Sequence, residues 1–304
     1  MVRHRVEVAL TLFYGPLVAA TYLLIRHGGI GGSDGFVNFV FASAVGFAVH
    51  FVYSPRAMSQ AIFDPKVSLR GLLFGVSQIL ILQAQAQGST TYALTTALAG
   101  NFAVFLASSF LFKEKTGKGG WICGALAFGG CAINPKLLDL STIGLLGGIT
   151  QGIAALTTRS IMTRAGPARA LRDAYHSVGV GLFYASLFGT LFLARKSEHA
   201  SIADISLSGT LTILAAVLIT QYSFFALYRS MPAHKASIVS LSRLPASLLL
   251  EAALFGASFS GIEILSTLTI AAGAVLLPFL NQALSDDTPD QVSSDAAPGG
   301  ASAS

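Results

Sequence analysis

Long apolar segments follow one another along almost the whole chain, and the short loops between them carry most of the charges. Hydrophobic residues make up 53% of the 304 residues and charged residues only 11%, whereas a soluble domain has about 25% charged residues. Segments of about 20 apolar residues are long enough to cross a bilayer as α-helices. The sequence therefore predicts an all-α integral membrane protein that crosses the membrane many times.

We expect ten transmembrane helices, because ten apolar segments can be delimited by charges, glycines and prolines. Pro16 in the first segment and Pro245 in the ninth each remove a backbone hydrogen bond and permit a kink. The ten segments are roughly 6–25, 36–53, 69–87, 91–112, 119–134, 142–163, 174–194, 207–228, 236–256 and 260–283.

The basic residues of the loops predict how these helices are oriented. With the N-terminus in the cytoplasm, fourteen of the 19 Lys and Arg residues fall on the cytoplasmic side and four on the other side. Arg70 is counted with the cytoplasmic loops, and Arg159 is expected to reach water from the inner end of its helix. This excess follows the positive-inside rule. We therefore expect a multi-pass protein of the cell inner membrane with both termini in the cytoplasm.

The two halves of the chain show an internal similarity. A shift of 143 residues lays Ala93–Ala132 over Ala236–Val275, with seven identities and with both turns and both helix ends in register. Residues 1–139 and 140–284 hold five segments each, so the second half enters the membrane in the opposite sense. The sequence thus predicts two inverted five-helix repeats with a substrate site near the midplane between them. Residues 285–304 are polar and acidic, and predict a disordered cytoplasmic tail.

The similar segments read NFAVFLASSFLFKEKTGKGGWICGALAFGGCAI and RLPASLLLEAALFGASFSGIEILSTLTIAAGAV. Glu114 lies in the turn of the first copy, and Pro245, Gly256 and Gly273 mark the second. With these features the chain resembles the EamA type of the drug/metabolite transporter superfamily. The resemblance implies ten helices in two five-helix repeats. It also implies transport of a small solute, in a family that exports or imports amino acids, amines, vitamins and nucleotide-linked compounds.

Arg243 and Glu251 are ionisable residues inside the ninth segment, where a charge costs about 2.5–3.5 kcal/mol on insertion scales and indicates function by default. Arg243 lies about 12 Å from the cytoplasmic start of its helix, and its guanidinium could bind a carboxylate or phosphate of the substrate. The alternative is a structural pair with a carboxylate or backbone carbonyls. Glu251 is a candidate for proton coupling or, equally, a residue near the outer interface in contact with water.

Several polar residues in the apolar segments are further candidates for substrate binding. Gln78 and Gln221 are 143 residues apart, so they occupy matching places in the two repeats and favour a shared polar cavity. Hydrogen bonds between helices would explain them equally well. The other candidates for this cavity are Gln83, Asn101, Gln151, Tyr14 and Tyr222.

The function expected from these features is secondary transport of a small metabolite, such as an amino acid or an amine, by alternating access. No Gly-rich phosphate loop is present, so a proton or solute gradient would supply the energy, and the resemblance favours export. The alternative is an importer of a vitamin-like aromatic compound such as a flavin. An intramembrane enzyme is disfavoured, because no nucleophile motif or Asp dyad occurs, and a scaffold subunit has no feature of its own.

Among partners, we expect a small-molecule substrate and the lipid bilayer, and no nucleic acid. The sequence does not decide whether the protein forms a homodimer. No metal or cofactor is expected, because the two cysteines lie eight residues apart and form no metal-binding spacing.

Overall fold

The computed structural model describes residues 2–25, 33–87, 90–133, 142–164, 166–196, 205–256 and 258–285, and within these ranges every regular element is an α-helix. The acidic tail expected to be disordered lies outside the described residues, apart from Ser285. The helices are α1 (Val2–Ile25), α2 (Ser33–Tyr53), α3 (Pro55–Phe63), α4 (Pro65–Gln87), α5 (Thr90–Leu111), α6 (Lys118–Ile133), α7 (Thr142–Arg164), α8 (Pro167–Lys196), α9 (Leu207–Ser230), α10 (Ala233–Leu241), α11 (Arg243–Phe255) and α12 (Gly261–Ser285).

Within the described ranges, seven helical segments are long and apolar enough to cross a membrane. They lie in α1, α2, α4, α8, α9 and α12 and in the consecutive pair α10–α11. The outer surface is apolar as well, with large side chains such as Phe13 and Phe110 exposed over 70% and 85% of their area. An all-α, multi-pass membrane protein is therefore confirmed. Ten crossings stay a prediction, since α5 and α6 contribute only shorter apolar stretches and α7 is not among the seven.

The segment boundaries differ from the sequence prediction at several helix starts. The loop expected between the second and third segments contains a separate helix, α3, and α4 begins at Pro65 rather than at residue 69. The helix expected from residue 174 begins at Pro167. Proline at the first helical position favours these early starts, because its missing N–H is not needed there and its φ angle is already helical.

The segment expected at 236–256 is not one helix but two, and the break lies at Ser242. Pro245 has no N–H to donate, and its ring would clash with the carbonyl four residues earlier, which belongs to Leu241. The chain adapts upstream of the proline: the Ser242 amide donates to the carbonyl of Val239 three residues back, and its hydroxyl donates to the same oxygen at 2.6 Å. The interruption of the helix expected from Pro245 is thus present, and it lies three residues before the proline, at Ser242.

The helices pack in a set of pairs that connects the two halves of the chain. α4 packs against α7 and α8, and α9 packs against α1 and α2. α5 packs against α7, while α10 and α11 pack against α1. Three further pairs join α2 to α8, α5 to α10 and α6 to α12. The buried interior therefore lies between the halves rather than inside each of them.

Glycines allow the closest of these contacts. Gly15 of α1 lies against the break at Ser242, where an added Cβ would come within 2.6 Å of the carbonyl carbon and 2.7 Å of the carbonyl oxygen. Gly100 of α5 lies in the same way against the backbone of Gly148 and Gly152 in α7. Small residues of this kind let transmembrane helices approach each other at backbone distance.

Replacing Gly15 by alanine should destabilise the protein by about 1–3 kcal/mol, because the added methyl group has no room against the Ser242 backbone. The matched control is Gly129→Ala in α6, where an added Cβ meets nothing within 4 Å. That change should be neutral or stabilising, since alanine favours a helix by up to about 1 kcal/mol over glycine. Thermal unfolding of the purified proteins in detergent measures both, and equal stability of the two variants would contradict the close contact.

Candidate functional site

A small cavity lies among five helices that come from both halves of the chain. Its walls are formed by α1, α4, α7, α9 and α11, and two arginines, Arg70 and Arg243, are part of its lining. The remaining lining residues are Tyr14, Phe74, Ser77, Gln151, Ala154, Thr220, Gln221 and Phe224. We call this space the two-arginine cavity. Its lining combines aromatic faces with hydrogen-bonding groups, which is typical of a binding site for a small polar solute.

Arg243 is the first residue of α11, directly after the break at Ser242, and only 2% of it is exposed. The break therefore places a charged side chain in the interior of the bundle. Its Nε has no hydrogen-bond partner among the described residues, and the hydroxyls of Tyr14 and Tyr228 are buried without a partner as well. Buried donors without a partner are rare in folded proteins. In this structure the cavity is almost closed, with a volume of about 10 Å³, which is room for about one water molecule. A larger ligand enters only when the helices move apart.

Arg70 is the second charge of the cavity, and the sequence prediction that it lies in a cytoplasmic loop is wrong. It lies one and a half turns inside α4 and is 1% exposed. Its Nε donates to Oγ1 of Thr158 at 3.2 Å and its Nη2 to Oε1 of Gln221 at 2.6 Å, while Nη1 has no partner. The signal that could have placed it is Pro65, which starts the helix five residues earlier.

Two aromatic rings fix the position of the Arg70 guanidinium. Its Cζ lies 4.4 Å from the ring centroid of Phe225 and 5.1 Å from that of Phe74. Both distances are within the range of cation–π attraction, which is strongest where water is excluded. The side chain is thus held by two rings and two hydrogen bonds, and its free Nη1 has a defined place.

Neither guanidinium forms an ion pair with a carboxylate of the described residues. The ion pairs found there join other groups. The residue of α9 that accepts a hydrogen bond from Arg70 is Gln221, a neutral amide and not a glutamate. The two-arginine cavity therefore carries two positive charges without a counter-charge from the described part of the chain.

Four of the predicted binding residues line this cavity together: Arg243, Gln221, Gln151 and Tyr14. The other predicted residues lie outside its lining. Gln78 is buried and faces the Tyr22 hydroxyl of α1, and Asn101 is buried in α5 with its amide nitrogen unpartnered. Gln83 is half-buried near the end of α4.

Tyr222 and Glu251 lie away from the two-arginine cavity. Tyr222 follows Gln221 on α9 but is directed away from it, and its hydroxyl lies 3.4 Å from Nε2 of His50 on α2. His50 is buried, and its ring stacks on Tyr175 of α8 with the ring centroids 4.4 Å apart. Glu251 is half-buried in α11, two turns beyond Arg243. His50 is not a predicted site residue, because a lone histidine near a segment end carries no periodic signal.

A second charged group lies beside the end of α9. Glu114, in the connection between α5 and α6, accepts from Nε and Nη2 of Arg159 at 2.9 and 2.7 Å and from the amide of Ala233 at 2.7 Å. Nη1 of Arg159 also donates to the carbonyl of Tyr228 at 2.8 Å. Nδ1 of His234 lies 3.8 Å from the same carboxylate. We call this group the Glu114 clamp.

The Glu114 clamp satisfies two helix ends with opposite charges. Arg159 binds a carbonyl of the last turn of α9, and Glu114 binds the first amide of α10, which are the favourable positions for a cation and an anion. The expectation that Arg159 extends to water is therefore wrong, since it is only 12% exposed and paired. Lys113, at the end of α5, adopts a left-handed φ of 55°, which ends the helix and turns Glu114 inward.

The electrostatics of the clamp favour the ionised carboxylate. Burial raises the pKa of the Glu114 carboxyl. His234, the charge of Arg159 and the amide of Ala233 lower it by more than burial raises it, so the pKa lies below its ordinary value of 4.5. Charge-assisted hydrogen bonds of this kind stabilise the charged form. The clamp is therefore intact at neutral pH.

Comparison with known proteins identifies the fold but no family. No family model matches the chain, and no curated protein matches it. Sixteen solved chains match in structure. One of them, described only as the crystal structure of a protein, has a TM-score of 0.65 and 16% sequence identity over 91% of this chain and 98% of its own. At this identity the likeness extends to the fold alone, and it covers almost the full length of both chains.

Replacing Glu114 by glutamine should destabilise the protein by about 3 kcal/mol, because it leaves the charge of Arg159 buried without its partner. The control is Asp173→Asn, which removes a 3.9 Å pair with an Arg169 side chain that is 72% exposed and should change stability by less than about 1 kcal/mol. Thermal unfolding in detergent measures both, and equal effects would show that the clamp does not stabilise the bundle.

The pH dependence of this difference follows from the lowered pKa of Glu114. A carboxyl whose folded pKa is below its unfolded value contributes stability above the unfolded pKa and loses it as the pH falls through the folded pKa. The gap between the parent and Glu114→Gln should thus be constant from about pH 5 to 7 and should close below 4.5. Unfolding temperatures measured from pH 3.5 to 7 test this, and a gap that widened at low pH would contradict it.

Proposed function

We propose that this protein is a secondary transporter of a small organic solute and that the two-arginine cavity is its binding site. The observation that carries the proposal is the pair of fully buried arginines, Arg70 and Arg243, beside unpartnered polar atoms in a helical membrane protein. Ionisable residues inside a membrane domain are expensive, and they mark substrate or ion pathways in most proteins that have them. Membership of the EamA type of drug/metabolite transporters is part of this proposal.

The packing pairs support an architecture of two inverted repeats. In this architecture each helix of the first half corresponds to one of the second: α1 to α7, α2 to α8, α4 to α9, α5 to α10–α11 and α6 to α12. Exchanging corresponding helices turns each packing pair into another observed pair or leaves it unchanged. α4 with α7 becomes α9 with α1, α5 with α7 becomes α10–α11 with α1, and α2 with α8 becomes itself. Inverted repeats place the substrate site at their interface, which is where the cavity lies.

Alternating access would use the discontinuities of the helices that line the cavity. The break between α10 and α11 lies against Gly15, next to Pro16 in α1, so a discontinuous helix meets a proline-containing one beside Arg243. Discontinuous helices at the substrate site are a recurring feature of secondary transporters. The Glu114 clamp holds the bundle closed on the side where α9 ends and α10 begins.

The charge of the cavity selects among the solutes considered from the sequence. Two uncompensated guanidinium groups repel an amine and attract a solute with a carboxylate or phosphate. An amino acid therefore fits through its carboxylate, and an organic acid fits better. Export, a proton or solute gradient as energy source, both termini in the cytoplasm and an inner-membrane location complete the proposal. Glu251 stays a candidate for proton coupling, and no enzymatic activity is proposed.

Replacing Arg243 by alanine should reduce transport to the background rate, because the anchor of the solute is lost, while the protein still inserts and folds. The measurement is counterflow in proteoliposomes with panels of amino acids, organic acids, amines, vitamins and sugar phosphates. The matched control is Arg169→Ala, which removes an exposed arginine and should leave transport unchanged. A variant at Arg243 that moves solute as fast as the parent would refute the proposed site.

A further inference from the structure

We infer that the solute bound in the two-arginine cavity carries two negative charges, as a small dicarboxylate or a phosphate monoester does. This inference rests on the proposed function for the identity of the site, and it narrows the class of substrate. It starts from a feature that the sequence analysis missed, namely that Arg70 lies in the lining of the same cavity as Arg243.

The charge balance of the cavity requires more than one anionic group. A buried cation without a partner is strongly destabilising, and the described residues supply no carboxylate to either guanidinium. A monoanion would neutralise one of the two charges and leave the other. A dianion neutralises both, and it is the only kind of single solute of small charge that does so.

The free donors of the cavity fit the same class of ligand. Nη1 of Arg70 and Nε of Arg243 have no hydrogen-bond partner among the described residues. Arg70 cannot turn freely, because Thr158 and Gln221 bind its other nitrogens. Beside Arg243, the unpartnered hydroxyls of Tyr14 and Tyr228 are further donors for oxygen atoms. Carboxylates and phosphates supply several acceptor oxygens within one small group.

The neutral and apolar walls limit what else the solute carries. Phe74, Phe224 and Ala154 line the cavity between the polar groups, and they suit a short carbon skeleton. The amides of Gln151 and Gln221 occupy places where carboxylates would have cancelled the arginine charges. An amine therefore has no anionic partner in the lining, and simple cations should not bind.

Direct binding tests the inference without any need for transport. Isothermal titration of the purified protein in detergent, at constant ionic strength, compares succinate with succinamate, in which one carboxylate is replaced by an amide. We expect succinate to bind at least about tenfold more tightly, since one lost charge contact with a buried arginine corresponds to 1.4 kcal/mol or more. Glycerol 3-phosphate should bind as a dianion, with an affinity that rises from pH 5 to pH 7, because the second pKa of a phosphate monoester is about 6.

Substitutions at Arg70 separate a charge effect from a structural one. Arg70→Gln should reduce the preference for succinate over succinamate to less than about threefold, and Arg70→Lys should restore part of it because the charge is kept. Arg169→Gln, at an exposed site, should leave the preference unchanged. If Arg70→Gln does not fold, the comparison of ligands on the parent protein still decides the matter.

The outcomes distinguish this inference from the proposed function. Equal affinity for succinate and succinamate, or binding of neither succinate nor glycerol 3-phosphate, would overturn the dianion assignment. Counterflow of an amine or a neutral solute that dianions do not inhibit would also overturn it, although the protein would still be a transporter. Selective binding of dianions without counterflow of any solute would uphold the inference and refute transport.

Discussion

The burial of two guanidinium groups inside an apolar bundle is the constraint on which the rest of the site depends. Arg70 and Arg243 are among the largest fully buried side chains, whereas many leucines and phenylalanines are exposed on the outer surface of the bundle. In a bilayer such charges are tolerated only where protein groups or a water-filled cavity surround them. Aromatic rings, a hydroxyl and an amide hold Arg70, and tyrosines surround Arg243. These groups lower the cost of burial, and no carboxylate of the described residues forms an ion pair with either guanidinium, which is why we propose an anionic solute for this site.

The irregular backbone beside Arg243 has a separate cause, Pro245. A helix that continued through Ser242 would keep its amides and carbonyls paired, but Pro245 prevents this, and the freed groups need other partners inside a membrane. Ser242 provides one through its own hydroxyl, which binds the carbonyl of Val239. Gly15 leaves room for the break, because any larger residue at this position of α1 would collide with the backbone of Ser242. The break is thus sheltered by protein on the side of α1, and it starts α11 with a charged residue at the cavity.

Much of the fold was predictable from the sequence because its main signal is composition. Long apolar segments mark membrane helices without any knowledge of packing, and Arg243 stood out as a charge within one of them. Arg70 did not, because the fourth helix begins in a polar stretch and the arginine follows a lysine that is exposed. Only the packing of α4 between α7 and α8 decides that Arg70 faces inward. Gln221 contacts Arg70 although the two are 151 positions apart in the chain, and Arg159 contacts Glu114 across 45 positions. At such separations sequence patterns carry no information about contact.

The last turns of α9 connect the cavity to the Glu114 clamp. The carbonyl of Tyr228 accepts from Arg159 in the clamp, while the hydroxyl of the same residue is buried near Arg243 and Tyr14. Because Glu114 belongs to the first half and Arg159, Tyr228 and Ala233 to the second, the halves cannot separate on this side without breaking the clamp. Glu7 and Lys235, 3.9 Å apart, join the halves on the same side. An anion that draws the Tyr228 hydroxyl toward Arg243 would act on the residue whose backbone the clamp holds, and the binding of solute and the opening of this side would then share one helix end.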